Sequence, residues 1–270
     1  VLILSTYIGK RLRLGHIFRK STGKTVIIAV DHGRRYGPIQ GLVRFRETIE
    51  KVLDADIDAL LMTPAMVEHV YDLVEGRVGI IARIDGTGTR RGPDETDDRL
   101  IASVDRALKV GADAVAIMVY LGCEREVELL EKMGIVADVC YDYGMPLVVE
   151  AIPREPYLKE PNSVENIAYA ARICAEYGAD VIKTSYAGSP EEYRYVIESV
   201  PVPIVIRGGA KVENTFEFLK TIENAIKSGA RGVAIGRNVF QYKDPTKMAQ
   251  ALCEIVHKGA SAKDAYALLE

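Results

Sequence analysis

The feature that most constrains this chain is a unit that recurs along it. An amphipathic stretch ends near Gly, Ala or Asp, and a short β-branched or aliphatic run follows at once. Asp54-Ala55-Asp56-Ile57-Asp58 leads into Ala59-Leu60-Leu61-Met62, and Gly111-Ala112-Asp113 into Ala114-Val115-Ala116-Ile117. Gly178-Ala179-Asp180 leads into Val181-Ile182-Lys183-Thr184, and Gly229-Ala230-Arg231 into Gly232-Val233-Ala234-Ile235. Glycine just past a helix end tolerates the left-handed conformation that stops a helix. The apolar run after it suits a strand covered on both faces.

Eight such runs are predicted as strands, over 25–30, 59–62, 78–84, 114–119, 146–151, 179–184, 203–207 and 232–235. Apolar residues at three- and four-residue spacing predict helices over 99–110, 124–141, 164–177 and 215–227, the third capped by Asn162 or Ser163. Strict alternation implies a parallel sheet with right-handed crossovers. Eight units in 270 residues favour a closed (β/α)8 TIM barrel over an open doubly wound sheet. The first glycine turn, Asp31-His32-Gly33, also lacks the G-x-G-x-x-G spacing of a dinucleotide site. A single domain over residues 1–270 is expected, with residues 1–22 as an N-terminal extension packing on the barrel.

Composition narrows the partners. The net charge of −3, with Lys and Arg scattered, lacks the basic excess of a nucleic-acid surface. Any bound anion should therefore be small. The four cysteines, Cys123, Cys140, Cys174 and Cys253, have no C-x-x-C spacing and read as reduced thiols in a cytoplasmic protein. The opening Val1-Leu2-Ile3-Leu4 run is too short for a signal-peptide core. No segment reaches the roughly 20 apolar residues that cross a bilayer, so no membrane partner is expected.

In such a barrel the chemistry sits at the carboxyl ends of the strands. These ends offer Asp31 and His32, Arg83 and Asp85, Tyr120, Glu150 with Pro153-Arg154, Lys183 with Tyr186, Arg207-Gly208-Gly209, and Gly236-Arg237-Asn238. Lys183 stands out because an ammonium in a strand covered on both faces must be paired, solvated by a pocket or neutralised. Desolvation and nearby cations would lower its pKa and free the amine to attack a carbonyl; a phosphate contact or an ion pair is the other reading. The glycine turns after the last two strands, Gly208-Gly209 and Gly236-Arg237, lie where barrels bind phosphate through backbone N–H groups, and Arg237 can add charge-assisted bonds.

Taken in order, Val30-Asp31-His32-Gly33, Pro153-Arg154, Ile182-Lys183-Thr184-Ser185-Tyr186, Gly208-Gly209-Ala210-Lys211 and Gly236-Arg237-Asn238-Val239-Phe240-Gln241 resemble the archaeal-type class I fructose-bisphosphate aldolases. They are also similar to the related 2-amino-3,7-dideoxy-D-threo-hept-6-ulosonate synthases and autoinducer-2 phosphate thiolases. The resemblance runs from about Gly9 to the C-terminus. It implies a cofactor-free, metal-free lysine enzyme acting on a phosphorylated sugar and assembling as a homo-oligomer, commonly a decamer. By position Lys183 matches the Schiff-base lysine and Asp31 the catalytic or substrate-orienting aspartate. Gly208, Gly209, Gly236 and Arg237 match the phosphate site.

The chain departs from these relatives in two places. The aldolases and synthases usually carry a tyrosine, the general acid/base, just before the Pro-Arg pair, where this chain has Ile152. Strand alternation puts Glu150 on the same face as Ile152, so Glu150 becomes a candidate base if burial raises its pKa, with an ion pair to Arg207 as the structural alternative. Tyr120 is a second candidate acid. Arg207, Arg83, Arg34 and Arg35 hint at a substrate with extra negative charge, although Arg34 and Arg35 also read as solvated surface residues. His32 is read as structural; His16, His69 and His257 lack metal-ligand spacing. The expected activity is aldol cleavage or formation on a sugar phosphate, with a transferase of the same fold or a non-catalytic phosphometabolite-binding barrel as alternatives.

Overall fold

A computed structural model describes residues 8–270. Eight parallel strands close into a barrel in sequence order: β1 (Thr25–Ala29), β2 (Ala59–Met62), β3 (Gly79–Arg83), β4 (Ala114–Leu121), β5 (Leu147–Pro153), β6 (Val181–Thr184), β7 (Ile204–Arg207) and β8 (Gly232–Ile235). β1 pairs with both β2 and β8, which completes the ring. All eight expected strands are present, with ends moved by a few residues. The initial Val1-Leu2-Ile3-Leu4 run and the first part of the expected 1–22 extension lie outside the described residues.

Two apolar layers follow from the two-residue period of a strand. Ile27, Ala29, Ala59, Leu61, Ile81, Ala114, Ala116, Val148, Val181, Val205 and Ala234 point inward and form one buried cluster. The residues between them face the surrounding helices and join a second, larger cluster. Helix α1 (Ile8–Ile17) contributes Leu14 and Ile17, with Phe18 just after it, to the inner cluster. The N-terminal segment thus plugs the end of the barrel opposite the strand carboxyl termini.

Around the barrel lie α2 (Phe45–Leu53), α3 (Val104–Lys109), α4 (Glu126–Asp142), α5 (Val164–Glu176), α6 (Pro190–Ser199), α7 (Thr215–Ser228) and α8 (Pro245–Cys253), with shorter helical turns between them. Local chemistry sets their ends. Ser163 caps α5 by accepting from the Asn166 amide, and Ser189 with Glu192 forms a capping box on α6. Gly229 ends α7 at φ 111°, as the recurring unit requires. One expectation fails: the helix placed over 99–110 begins only at Val104. Residues 99–102 run back along the exit of β3, where the Gly86 amide donates to the Arg99 carbonyl and the Ile101 and Ala102 amides to the Ile84 carbonyl. Those backbone bonds take the residues that periodicity assigned to a first helical turn.

The four cysteines are free and buried. Among the described residues, no helix is long and apolar enough to cross a membrane. Leu61 is fully buried in the inner cluster that floors the barrel mouth. Replacing it with alanine should cost about 3 kcal/mol, within the range for buried Leu→Ala changes, measured as the loss of unfolding free energy in urea.

Candidate active site

The inward series continues past the apolar floor into a polar layer. After Ile27 and Ala29 comes Asp31; after Ile81, Arg83; after Ala116, Met118 and Tyr120; after Val148, Glu150 and Ile152; after Val181, Lys183; after Val205, Arg207. Strand register then sets the neighbours. Glu150 on β5 is the Cα partner of Lys183 on β6, and Tyr120 on β4 is the partner of Ile152 on β5. A cavity of about 150 Å³ opens above this layer, lined by Asp31, Tyr120, Glu150, Ile152, Lys183, Arg207 and Arg237 among others. Lys183 is 5% exposed and faces this cavity.

A chain of ion pairs runs beneath it. Lys183 Nζ donates to Glu150 Oε2 at 3.0 Å, and Arg83 Nη2 donates to the same oxygen at 2.6 Å. Arg83 Nε donates to Asp31 Oδ2 at 2.9 Å, and Nη1 reaches Asp85 Oδ1 at 3.4 Å. Asp85 Oδ2 also takes the Met118 amide and Lys132 Nζ, each at 2.7 Å. Arg83 is fully buried with its donors on protein carboxylates, and it does not line the cavity. The expectation that Arg83 meets substrate is therefore corrected: it is the hub that fixes Asp31 and Glu150. The Glu150–Arg207 pair is present only as an outer contact, at 3.7 Å.

Electrostatics follow from this geometry. Burial pushes the Lys183 ammonium pKa down and Glu150 pushes it back up, with Arg83 adding to the fall; the balance lies below the ordinary lysine value. For Glu150 burial acts upward, but Lys183, then Arg83 and Arg207, hold the carboxyl well below its usual range. This corrects the expectation of a base with a raised pKa: Glu150 is an ionised partner of the amine. Asp31 is likewise held low by Arg83 and Arg34 against burial. Burial pushes Tyr120 up to about 12, so it carries its proton. Burial also drops His32 to about 4, leaving it neutral near pH 7. The His32 ring packs edge-on against Phe240, 5.1 Å between centroids.

The expected phosphate turns sit to one side. Gly208 and Gly209 line a neighbouring cleft of about 330 Å³ that shares Arg207 with the Lys183 cavity. Asn238 shapes this turn, donating to the Gly208 and Ala210 carbonyls and accepting from the Val212 amide. Gly236 lies under the His32 ring, where an added Cβ would stand 2.2 Å from His32 Cε1. Arg237 faces the Lys183 cavity and places its guanidinium 5.6 Å from the Tyr36 ring centre. Tyr186 lines the glycine cleft and not the lysine cavity, and packs on Tyr193 at 4.8 Å.

Two readings of the sequence change here. Arg34 and Arg35, taken as solvated, line the cavity with side chains only 7% and 11% exposed. Loop residues 86–100, which bring Arg90 and Glu95 to the cavity and Asp98 to the arginines, cover them. Sequence reasoning named Asp85 among the strand-end residues without giving it a role, and it passed over Lys132 altogether. Asp85 had a signal, since it stands two residues beyond Arg83; Lys132 had none, because α4 brings it in from outside the barrel.

Removing the hub should reverse the pH dependence of stability. In the wild type, Asp31 and Glu150 have depressed folded-state pKa values. Their contribution is present above the ordinary carboxylate range and is lost as pH falls through the folded values. In Arg83→Met Asp31 loses its main partner and Glu150 its second partner after Lys183, so stability at pH 7 should fall by about 3–5 kcal/mol. Their folded-state pKa values should then rise, and acidification toward pH 5 should recover part of the loss. Urea titrations at the two pH values measure both effects.

Comparison with known proteins identifies the family and the fold. Residues 25–242 match the family model described as DeoC/LacD family aldolase. A 2-amino-3,7-dideoxy-D-threo-hept-6-ulosonate synthase from Archaeoglobus fulgidus is 38% identical over 250 residues, 93% of this chain and 92% of the relative. The crystal structure of an archaeal fructose 1,6-bisphosphate aldolase superposes with a TM-score of 0.84 at 31% identity, covering 93% of this chain and all of the other. A second solved structure, described as a Schiff-base-forming fructose-1,6-bisphosphate aldolase, gives the same score and identity over 92% of this chain and all of that one. A buried lysine paired with a carboxylate at the mouth of a closed barrel, and a family match spanning that whole barrel, lead to one conclusion: the chain belongs to the DeoC/LacD family of aldolases.

Proposed function

We propose that the protein forms or cleaves a carbon–carbon bond in a phosphorylated sugar through an imine on Lys183. The observation that carries this reading is the buried Lys183 amine, 3.0 Å from Glu150 and facing a cavity whose lining includes six arginines. A lysine in that position has a lowered pKa, so more of its amine is free to attack a carbonyl carbon. Addition gives a carbinolamine, and loss of water gives an iminium. In cleavage, the bond one carbon further on breaks and its electron pair moves into the enamine. The aldehyde leaves as its hydroxyl proton departs; protonation of the enamine carbon and hydrolysis then free the amine.

Each neighbour has a part set by its charge. Glu150 remains ionised and balances first the ammonium and then the iminium. Asp31, held low by Arg83 and Arg34, stays ionised as an acceptor for substrate hydroxyls. Tyr120 lines the cavity one strand over from Ile152, in register with it. A phenol pushed up to about 12 is a poor base at pH 7, but it can donate a proton to a nascent alkoxide. The aldehyde oxygen gains that proton in condensation and the same group must take it back in cleavage, so Tyr120 serves both directions. The phosphate is assigned to Arg207, Gly208 and Gly209, with Arg237 on the cavity side, a reading supported by the open clefts these residues line after β7 and β8.

A transfer reaction through the same imine is the second reading. It is supported by the synthase relative from Archaeoglobus fulgidus. Product analysis with and without an acceptor aldehyde separates transfer from simple cleavage.

The first test is reductive trapping. Incubation with dihydroxyacetone phosphate and borohydride should add one reduced adduct, mapped to the peptide carrying Lys183. Lys183→Met should give no adduct and lower turnover by on the order of 10³-fold or more. An adduct on another lysine, or none with any phosphoketose, removes the reading. Tyr120→Phe should lower condensation about 100-fold or more while leaving trapping of the ketose intact.

A further inference from the structure

The chain of ion pairs under Lys183 ends on a lysine that comes from outside the barrel. Lys132 lies on α4, and its side chain is only 9% exposed. It does not line the cavity above Lys183; it borders a separate cavity of about 300 Å³ between α4 and residues 97–100. Its ammonium donates to Asp85 Oδ2 at 2.7 Å, to the Asp98 carbonyl at 2.6 Å and to the Met118 carbonyl at 3.0 Å. Three acceptors use all three donors of an ammonium. Lys132 has none left for a ligand, so whatever it contributes passes through the groups it holds.

Those groups lie where β3 and β4 part. The two strands pair in register as far as Arg83 and Ala116, and the Ile84 amide adds a bond to the Ala116 carbonyl. The Ile84 carbonyl, next in a parallel ladder, accepts from the Ile101 and Ala102 amides instead. Met118 on β4 is therefore completed by side chains: its amide donates to Asp85 and its carbonyl accepts from Lys132. With Asp85 held there, Arg83 Nη1 stays 3.4 Å from it, while the other Arg83 donors make closer bonds, 2.9 Å to Asp31 and 2.6 Å to Glu150. Glu150 Oε2 is shared between Arg83 and Lys183. The remaining titratable or charged groups around Lys183 are Asp31 and His32 beyond β1, and Arg207 on β7, which pairs with Glu150. How firmly Glu150 holds the Lys183 ammonium thus depends on how much of Arg83 is drawn off by Asp85.

We propose that Lys132 is a positioning residue for the Lys183 amine: by holding Asp85 at the parting of β3 and β4 it leaves Arg83 to Asp31 and Glu150, and so sets how much of the Glu150 carboxylate is left for Lys183. This rests on the proposed function only in making Lys183 the nucleophile; the chain of pairs from Lys132 to Lys183 belongs to the fold. The bond to the Asp98 carbonyl ties the loop that covers Arg34 and Arg35 to the same point.

The test reads the amine directly, without a substrate. The whole protein is treated with cyanate between about pH 6 and 9, and carbamylation of Lys183 is followed by peptide mass mapping. Lys132→Met removes a positive charge and lets Asp85 draw Arg83 away from Glu150. Both effects favour the Lys183 ammonium, so the midpoint of reactivity should move to higher pH and the rate at pH 7 should fall about fivefold. Asp85→Asn removes the competing carboxylate and should move the midpoint the other way. Lys132→Arg, which keeps the charge, and the double variant Lys132→Met/Asp85→Asn, which removes both charges, should each bring the midpoint back to that of the wild type. If Lys132→Met folds poorly, the opposite shift in Asp85→Asn still carries the test. A merely supporting role predicts lower stability with one unchanged midpoint, and that result overturns the inference. Shifts of the same sign in Lys132→Met and Asp85→Asn overturn it too. If the midpoints move as stated but borohydride traps no ketose on Lys183, the imine reading falls and the positioning role stands.

Discussion

The site depends on one buried guanidinium. Arg83 is withdrawn from water with Asp31, Asp85 and Glu150 around it. Burying such a charge is costly, and it is tolerated only because those partners return most of what hydration would have supplied. The arrangement fixes more than stability. Glu150 cannot rotate away from Lys183 without abandoning Arg83, and Asp31 is held to the same group from the far side of the barrel. The amine therefore faces the cavity with a counter-charge at a set distance, which is the preorganisation that a covalent step through a lysine requires.

This hub also explains why the barrel interior changes character partway up. Below it the inward residues are aliphatic and close-packed, sealed at the bottom by Leu14, Ile17 and Phe18. Above it they are charged, aromatic or glycine-flanked, and the strand ends open into the cavity. One register of eight strands thus supplies a rigid floor and a polar ceiling, with the ion-pair chain as the boundary. Arg83, Tyr120, Glu150, Lys183 and Arg207 are carried by strands, which limits their freedom to drift, while Asp31 and the outer arginines come from the turns beyond the strand ends.

Much of this was legible in the chain because strands have a two-residue period. Once β5 and β6 are placed, Glu150, Ile152 and Lys183 must share the barrel interior, and Lys183 is marked by its charge in an apolar strand. The glycine turns after β7 and β8, to which the phosphate is assigned by proposal, could be located from Gly208, Gly209 and Gly236. What the sequence concealed depends on contacts across the barrel. Nothing local to Arg83 says that it will bind Asp31 and Glu150 in place of substrate. Arg34 and Arg35 looked solvated because their cover, residues 86–100, lies more than fifty positions away. The sign of the Glu150 shift was misread for the same reason: burial alone raises a carboxyl, and only the positions of Lys183 and Arg83 reverse it. The late start of α3 has a similar origin, since residues 99–102 find backbone partners at the exit of β3 that periodicity cannot register.

The most direct test of the account is a crystal structure of the protein reduced with borohydride in the presence of a phosphoketose. It predicts continuous density from Lys183 Nζ to the former carbonyl carbon, Glu150 and Arg83 in their present places, and the ligand phosphate at Arg207, Gly208 and Gly209. A ligand held elsewhere in the molecule, or a free Lys183 still paired to Glu150 beside a bound sugar, would contradict it.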